Sequence, residues 1–428
     1  MKFNEWYKKR GIRFIYQRAL RLKQRYGANA AKAMQRINLC VDSLEEYNCN
    51  PTFFVPAVVV KRNLGFIKGL QARGCEIGVH GYQHVDLRSY SPAESSAQLM
   101  RAVDVFKTVN LEVHGFRCPY LSSSDELLHA LPKQVFKYSS NKAIAWSHHT
   151  QVNGSAPIMF ATIEKFYRPL SSESSVSLPW MQDGLVEVPV SVPDDLQMYD
   201  GLNFSPDQVS AAWSILLKQT QQRGELFNLI FHPELAALCD GPFVEVLKEA
   251  RLEPNRVWVT RLRDISDWWL QKEGFGINIE RHESGFVLNF ICTERGTILY
   301  KDFEVEEQSS GWDETYRRLL SKRLAIRGEV LPLIGLEAGL PDWVSSALNG
   351  MGYLTTPLAD GLKNSITIDN ACVEQFANAV ELREYIESQK ASLVRFWPWP
   401  DGQRSALCLT GDLDALSLAD YATRLFPD

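Results

Sequence analysis

Apolar positions in the first two-thirds of this chain switch repeatedly between helical and extended spacing, and the switches mark out its elements. Ala19, Leu22 and Tyr26 recur at near-helical spacing, as do Ala33, Ile37 and Leu44, which predicts helices within 4–49. Thr52-Phe53-Phe54-Val55 is an aromatic and β-branched run bounded by prolines, hence a strand. The pattern then predicts a helix over 63–73 ended by Gly74, and an apolar strand over 75–79 that runs directly into His80. Ser91-Pro92-Ala93-Glu94 carries a capping pattern and opens a helix to about Thr108, followed by a strand over 113–116. Further on, helices are expected over 125–131, 205–223, 242–251 and 262–271. Strands are expected over 185–190, 227–231 and 257–260. Short apolar strands alternating with helices predict a parallel α/β architecture.

Around Gly274 the texture changes. Residues 286–292 and 297–300 have the pattern of antiparallel strands, and helices are expected over 343–351 and 373–388. This divides the chain into a barrel-like region over 1–273, an accessory α+β domain over 274–399, and a returning segment over 400–428. Phe396-Trp397-Pro398-Trp399-Pro400-Asp401-Gly402 has the composition of a stiff linker. After it come one more apolar strand, 405–410, and Gly411-Asp412-Leu413-Asp414.

Composition narrows the class without naming a chemistry. A length of 428 residues exceeds what one compact core usually takes. The net charge of −5, with no block of Lys or Arg, argues against nucleic acid as a partner. No stretch approaches a membrane span, and the basic N-terminus has no apolar segment of the secretory kind, so a cytoplasmic location is expected. The basic, aromatic start of the chain is expected to be a solvated helix rather than a membrane-surface one. The eight cysteines are scattered with no CxxC pair, which predicts buried free thiols.

Four short motifs carry candidate chemistry. His80 and His84 stand at i and i+4 just after a strand, where two imidazoles can converge on one metal; two unrelated loop histidines would look the same. Arg117, held by Pro119 at a strand end, is placed either to grip a carboxylate bidentately or simply to face solvent. His232 ends an apolar strand, a good position for proton transfer, although a lone histidine is more often structural. Asp412 and Asp414 follow the last strand at i and i+2; they can divide metal binding and base catalysis, or form an Asp-rich turn. His148-His149, adjacent rather than spaced, reads as a surface pair.

Taken together, Thr410-Gly-Asp412-Leu-Asp414, Thr52-Phe-Phe-Val55, His80-x-x-x-His84, Arg117-x-Pro119-Tyr120 and the strand ending at His232 resemble the polysaccharide deacetylase family, the NodB-homology carbohydrate esterases. The resemblance covers about 1–273 plus 400–428. It implies a distorted, incomplete β/α barrel and a divalent metal, usually zinc, with Co2+ or another first-row metal as alternatives. It further implies that Asp414, His80 and His84 ligate the metal and that Asp412 is the general base, oriented by Arg117. His232 becomes the general acid, tethered by Asp195 of Pro193-Asp194-Asp195, and the backbone N–H of Tyr120 helps hold the oxyanion. Three departures stand out. The Asp412/Asp414 motif usually opens the domain and here closes the chain, which suggests a circular permutation. Leu196 stands where a Trp commonly follows the acidic pair, and Pro233-Glu234 follows His232.

The expectation is a metal-dependent hydrolase that removes an N-acyl group, in the first instance acetyl, from an amino sugar or a nucleotide- or lipid-linked glycan precursor. A non-catalytic glycan-binding module on the same fold, or a hydrolase of small non-sugar amides, are the competing readings. Tyr82, Tyr120 and Trp180 are candidates for stacking on sugar rings, with a core role equally open for Trp180.

Overall fold

The computed structural model describes residues 29–129, 131, 135–146, 167–253, 255–358 and 362–424. The helices expected before residue 29, the His148-His149 pair and the closing Pro427-Asp428 lie outside them.

One twelve-stranded sheet organises the molecule. Its strands are β1 (Thr52–Val55), β2 (Glu76–Val79), β3 (Gly115–Phe116), β4 (Tyr138–Ser139), β5 (Ala143–Ala145) and β6 (Leu170–Ser171). They continue as β7 (Trp180–Gln182), β8 (Leu185–Glu187), β9 (Val190–Val192), β10 (Leu226–Phe231), β11 (Val257–Val259) and β12 (Ser405–Asp412). The order is β6-β5-β9-β10-β12-β1-β2-β3-β4-β8-β7, with β11 also on β12. All pairings are parallel except β7 with β8. The sheet curls into the expected incomplete β/α barrel.

The last strand of the chain is the middle of this sheet. β10 runs along one edge of β12, from Leu226 opposite Ala406 to Phe231 opposite Gly411. The other edge is shared: β11 pairs with Ser405–Leu407 and β1 with Thr410–Asp412. All eight residues of β12 are buried, as an apolar strand covered on both faces should be. Gly411 is required there, because a Cβ would lie 2.7 Å from the Phe53 ring.

Caps explain the helix ends. The helices Pro92–Thr108 and Pro206–Arg223 each begin with a reciprocal capping box, Ser91 with Glu94 and Ser205 with Gln208. Other expectations need correction. The run 185–190 is two strands, β8 and β9, which pair on opposite flanks of the sheet. Pro189 separates them. The helix expected from Pro242 begins at Ala236 and carries Pro242 inside it. Pro242 cannot donate to the Leu238 carbonyl, and the Tyr199 hydroxyl does so instead at 2.9 Å. The helix expected over 373–388 is two pieces, Asn370–Val373 and Ala379–Ser388.

Residues 276–396 build three smaller sheets. Two are antiparallel, and the third, with Val330–Leu336 between Thr355–Pro357 and Lys363–Ile368, is parallel. The segment expected as a linker is packed instead. Trp399 is fully buried among Trp258 and Trp269, and its indole donates to the Gly224 carbonyl at 2.8 Å. One apolar cluster joins Phe54, Trp268, Trp269 and Cys408 from the barrel side to Leu348, Met351, Ile386 and Trp399. The eight cysteines are free, and all but Cys292 are buried. Among the described residues no helix is long and apolar enough to cross a membrane.

Candidate active site

Strand register gathers the chemistry at one end of the sheet. Val55 is opposite Val79, and Val79 opposite Phe116, so His80 and Arg117 leave neighbouring strand ends together. Phe54 is opposite Asp412, and Phe231 is opposite Gly411, so His232 emerges beside Asp412. Parallel strands of a β/α barrel present such residues at their carboxyl ends, which is where this fold keeps its sites.

Gly81, at φ 79°, turns the chain sharply after β2 and allows His84 to fold back towards His80. The two imidazole centroids are 5.1 Å apart. His84 Nε2 lies 3.0 Å and His80 Nε2 lies 3.4 Å from Asp414 Oδ1. The three ligand atoms fall within 4.8 Å of one another, and all three residues are buried. His80 Nδ1–H donates to the Arg117 carbonyl at 2.8 Å, which leaves the Nε2 lone pair facing Asp414. Neither His80 Nε2 nor Asp414 Oδ1 has a hydrogen-bond partner among the described residues. Burial, with the Arg424 guanidinium nearby, holds the His84 imidazole down to about 4, so it is neutral at physiological pH. Burial opposes charge on Asp414 too. The His84 and Arg424 side chains beside it outweigh that and hold its carboxyl well below the usual carboxylate range. Two imidazole nitrogens converging with a carboxylate oxygen in a buried pocket form the donor set of a divalent cation, and the fit is good.

Asp412 stands beside this trio. Its Oδ1 accepts from Arg117 Nη1 at 2.9 Å, and its Oδ2 lies 3.9 Å from His80 Nε2. Arg117 is fully buried, and each of its three nitrogens donates. It also donates to Thr410 Oγ1 at 3.0 Å, Ser140 Oγ at 3.0 Å and the Ser140 carbonyl at 3.2 Å, and stacks over the Phe54 ring. The solvent-facing alternative for Arg117 is thereby excluded.

His232 is held from two sides by Asp195. The Asp195 carboxylate accepts from His232 Nδ1–H at 2.7 Å and from the His232 backbone N–H at 2.6 Å. This fixes the ring and directs Nε2 away from Asp195. Asp194, beside it, is buried and accepts from the Gln197 backbone N–H at 2.7 Å. Burial and the neighbouring carboxylates push the Asp194 carboxyl up to about 7, against the pull of His232. Tyr120 sits in left-handed backbone at φ 60° and packs its ring edge-on to His84 at 4.4 Å.

All eight residues singled out from the sequence therefore gather at these strand ends. Tyr82 does not serve the rim, because it is buried under the Arg101 guanidinium. Two neighbours escaped sequence reasoning. Arg424 Nη2 is 3.0 Å from Asp414 Oδ2, on the side away from the histidines. Tyr167 is bonded to Gln197, and burial together with the Asp194, Asp412 and Asp414 carboxylates raises its phenol. Each is a lone residue outside any motif, so spacing carried no signal.

Residues 34–138 match the family model of polysaccharide deacetylases. A bifunctional xylanase/deacetylase from Pseudobutyrivibrio xylanivorans is 32% identical over 89 residues, which is 20% of this chain and 15% of that protein. The chain thus spans only a small part of that relative's length. Among solved structures, a probable polysaccharide deacetylase from Pseudomonas aeruginosa PAO1 is similar with a TM-score of 0.43 and 15% identity, covering 55% of this chain and 72% of the other. The peptidoglycan deacetylase PdaC from Bacillus subtilis is similar with a TM-score of 0.33 and 16% identity, covering 58% and 89%.

Proposed function

Residues 34–138 belong to the polysaccharide deacetylase family, and from that premise we propose that the chain is a metal-dependent hydrolase that removes N-acetyl groups from an amino-sugar glycan. One observation carries the reading. His80, His84 and Asp414 converge, with His80 Nε2 and Asp414 Oδ1 free of hydrogen-bond partners among the described residues, next to an Asp412 that Arg117 holds in place. The same observation favours an enzyme over a non-catalytic glycan-binding module, since binding sugar needs neither feature.

In this reading His80, His84 and Asp414 hold a divalent metal, with zinc the best fit to two imidazoles and one carboxylate and Co2+ the nearest substitute. When bound, the metal supplies Lewis-acid polarisation of the amide and lowers the pKa of water. The protein's own groups do the rest. Asp412 accepts the proton of the attacking water, and Arg117 keeps that carboxylate aimed. The Tyr120 backbone N–H would donate to the oxygen that gains charge. His232, fixed by Asp195, donates a proton from Nε2 to the departing nitrogen, so that the amine leaves neutral. Asp195 and Arg117 act as positioning residues. The placement of β12 is read as a circular permutation, in which the strand that usually opens the barrel arrives last.

The test is release of acetate from N-acetylglucosamine oligomers by the full chain, with and without a chelator. Asp412→Asn and His232→Ala should each lower turnover by about 10²-fold or more. Zinc or cobalt should restore activity to stripped wild type only. Acetate release that neither substitution nor chelation affects would overturn the assignment.

A further inference from the structure

A second cavity, of about 620 Å³, lies between β7, the helix Leu262–Lys272 and the helix Asp342–Gly350. None of the eight candidate site residues lines it. Leu178, Trp269 and Met351 form buried wall, and Trp180 and Met181 are half-buried in it. Ser346 and Asn349 are exposed at the rim, as is Leu170, a large apolar side chain left 45% exposed there.

Lys272 reaches this lining from the end of its helix. Its Nζ is buried and has no hydrogen-bond acceptor among the described residues. It rests 3.7 Å from the centroid of the Trp269 ring. No carboxylate compensates it: Glu273 also lines the cavity, but it is exposed and forms no ion pair with Lys272 among the described residues. A buried ammonium without an acceptor is costly, so such groups are normally paired. Burial, with the Arg395 guanidinium nearby, brings this amine down to about 7, so that either protonation state is within easy reach. The site thus joins an aromatic, apolar wall to one cationic side chain that rests on Trp269 and has no hydrogen-bond acceptor among the described residues. That is the usual composition of a small-molecule site, mostly apolar with a few placed polar groups.

We propose that this cavity binds a small organic anion, whose acidic group pairs with Lys272 as that side chain turns from the Trp269 ring into the cavity, and whose apolar or aromatic body packs on Trp180, Trp269 and Met181. Occupancy would lock the helix Asp342–Gly350 against the barrel, since the ligand touches both. The inference stands apart from the deacetylase reading, because it uses none of those residues.

The probe is 8-anilinonaphthalene-1-sulfonate, compared with N-phenyl-1-naphthylamine, which has the same rings and no charge. Binding to the full chain is followed by probe fluorescence and tryptophan quenching. Wild type should bind the sulfonate about tenfold or more tightly than the neutral compound, the scale of one charge-assisted contact. Lys272→Met should remove that preference and leave binding of the neutral probe intact. Methionine fills the same space without a charge, so the fold is kept, as far-ultraviolet circular dichroism will verify. Ser346→Trp, at the exposed rim, should block both probes. Equal affinity for the two probes in wild type, an unchanged preference in Lys272→Met, or sulfonate binding that Ser346→Trp leaves untouched would each overturn the proposal.

Discussion

Replacing Arg117 with Met tests whether the base is built or merely present. The substitution deletes donors to Asp412, Thr410 and Ser140 and leaves Asp412, which is 7% exposed, with an uncompensated charge. Breaking a buried pair from one side typically costs about 3–5 kcal/mol, because the surviving charge keeps its desolvation penalty. Asp412→Asn should cost a similar amount, about 3–5 kcal/mol, because it leaves the fully buried Arg117 guanidinium without its counter-charge. The double variant removes both charges and should be more stable than the sum of the single losses implies, by about 1–3 kcal/mol. Urea unfolding of chelator-stripped proteins, followed by tryptophan fluorescence, supplies the three differences under one set of conditions. Turnover provides the second axis. Each single variant should lose about 10²-fold or more, and the double variant should be no worse than Asp412→Asn, as expected of groups that act as one unit. Stability losses that add to within about 0.3 kcal/mol would refute the idea that Arg117 positions Asp412.

Two further outcomes follow from the same structure. Asp194 is held protonated in the fold up to about 7, whereas an unfolded aspartate ionises near 3.8, so its contribution to stability is present at low pH and lost as pH rises between those values. Asp194→Asn should therefore flatten the stability profile over that interval, and an unchanged slope would show that Asp194 is not the titrating group. Deleting residues 404–428 removes β12 from between β10 and β1 and exposes two strand edges in a core, so the truncated chain should fail to fold cooperatively. A monomeric truncated chain with a native melting transition would contradict this.

Much of the site was legible because three of its four motifs sit at the end of a strand whose own signal is strong. β1, β2, β10 and β12 are apolar runs of four to eight residues, and His80, His232 and Asp412 follow or end them. Arg117 follows only a two-residue strand, and β4 is equally short; pairs of residues are too few to show a period. The division of 185–190 into β8 and β9 was hidden for a related reason. Apolar alternation continues across Pro189, and only the tertiary pairing reveals that the two halves serve opposite flanks. Trp399 was misjudged because Pro and Gly in a short segment signal exposed turns, whereas here the proline-flanked indole fills a core space and finds the Gly224 carbonyl. Arg424 contributes through an ion pair to Asp414 that no spacing rule anticipates.

The central claim is that three residues hold one metal and a fourth, adjacent carboxylate does not. It is tested most directly by titrating chelator-stripped protein with Co2+ and Zn2+ and reading bound metal by mass spectrometry and by the visible absorption of the cobalt form. Wild type and Asp412→Asn should each take up one equivalent, because Asp412 is engaged by Arg117. Asp414→Asn and His84→Ala should bind markedly less, losing one of three ligands. Full occupancy in Asp414→Asn together with loss of metal in Asp412→Asn would contradict the assignment.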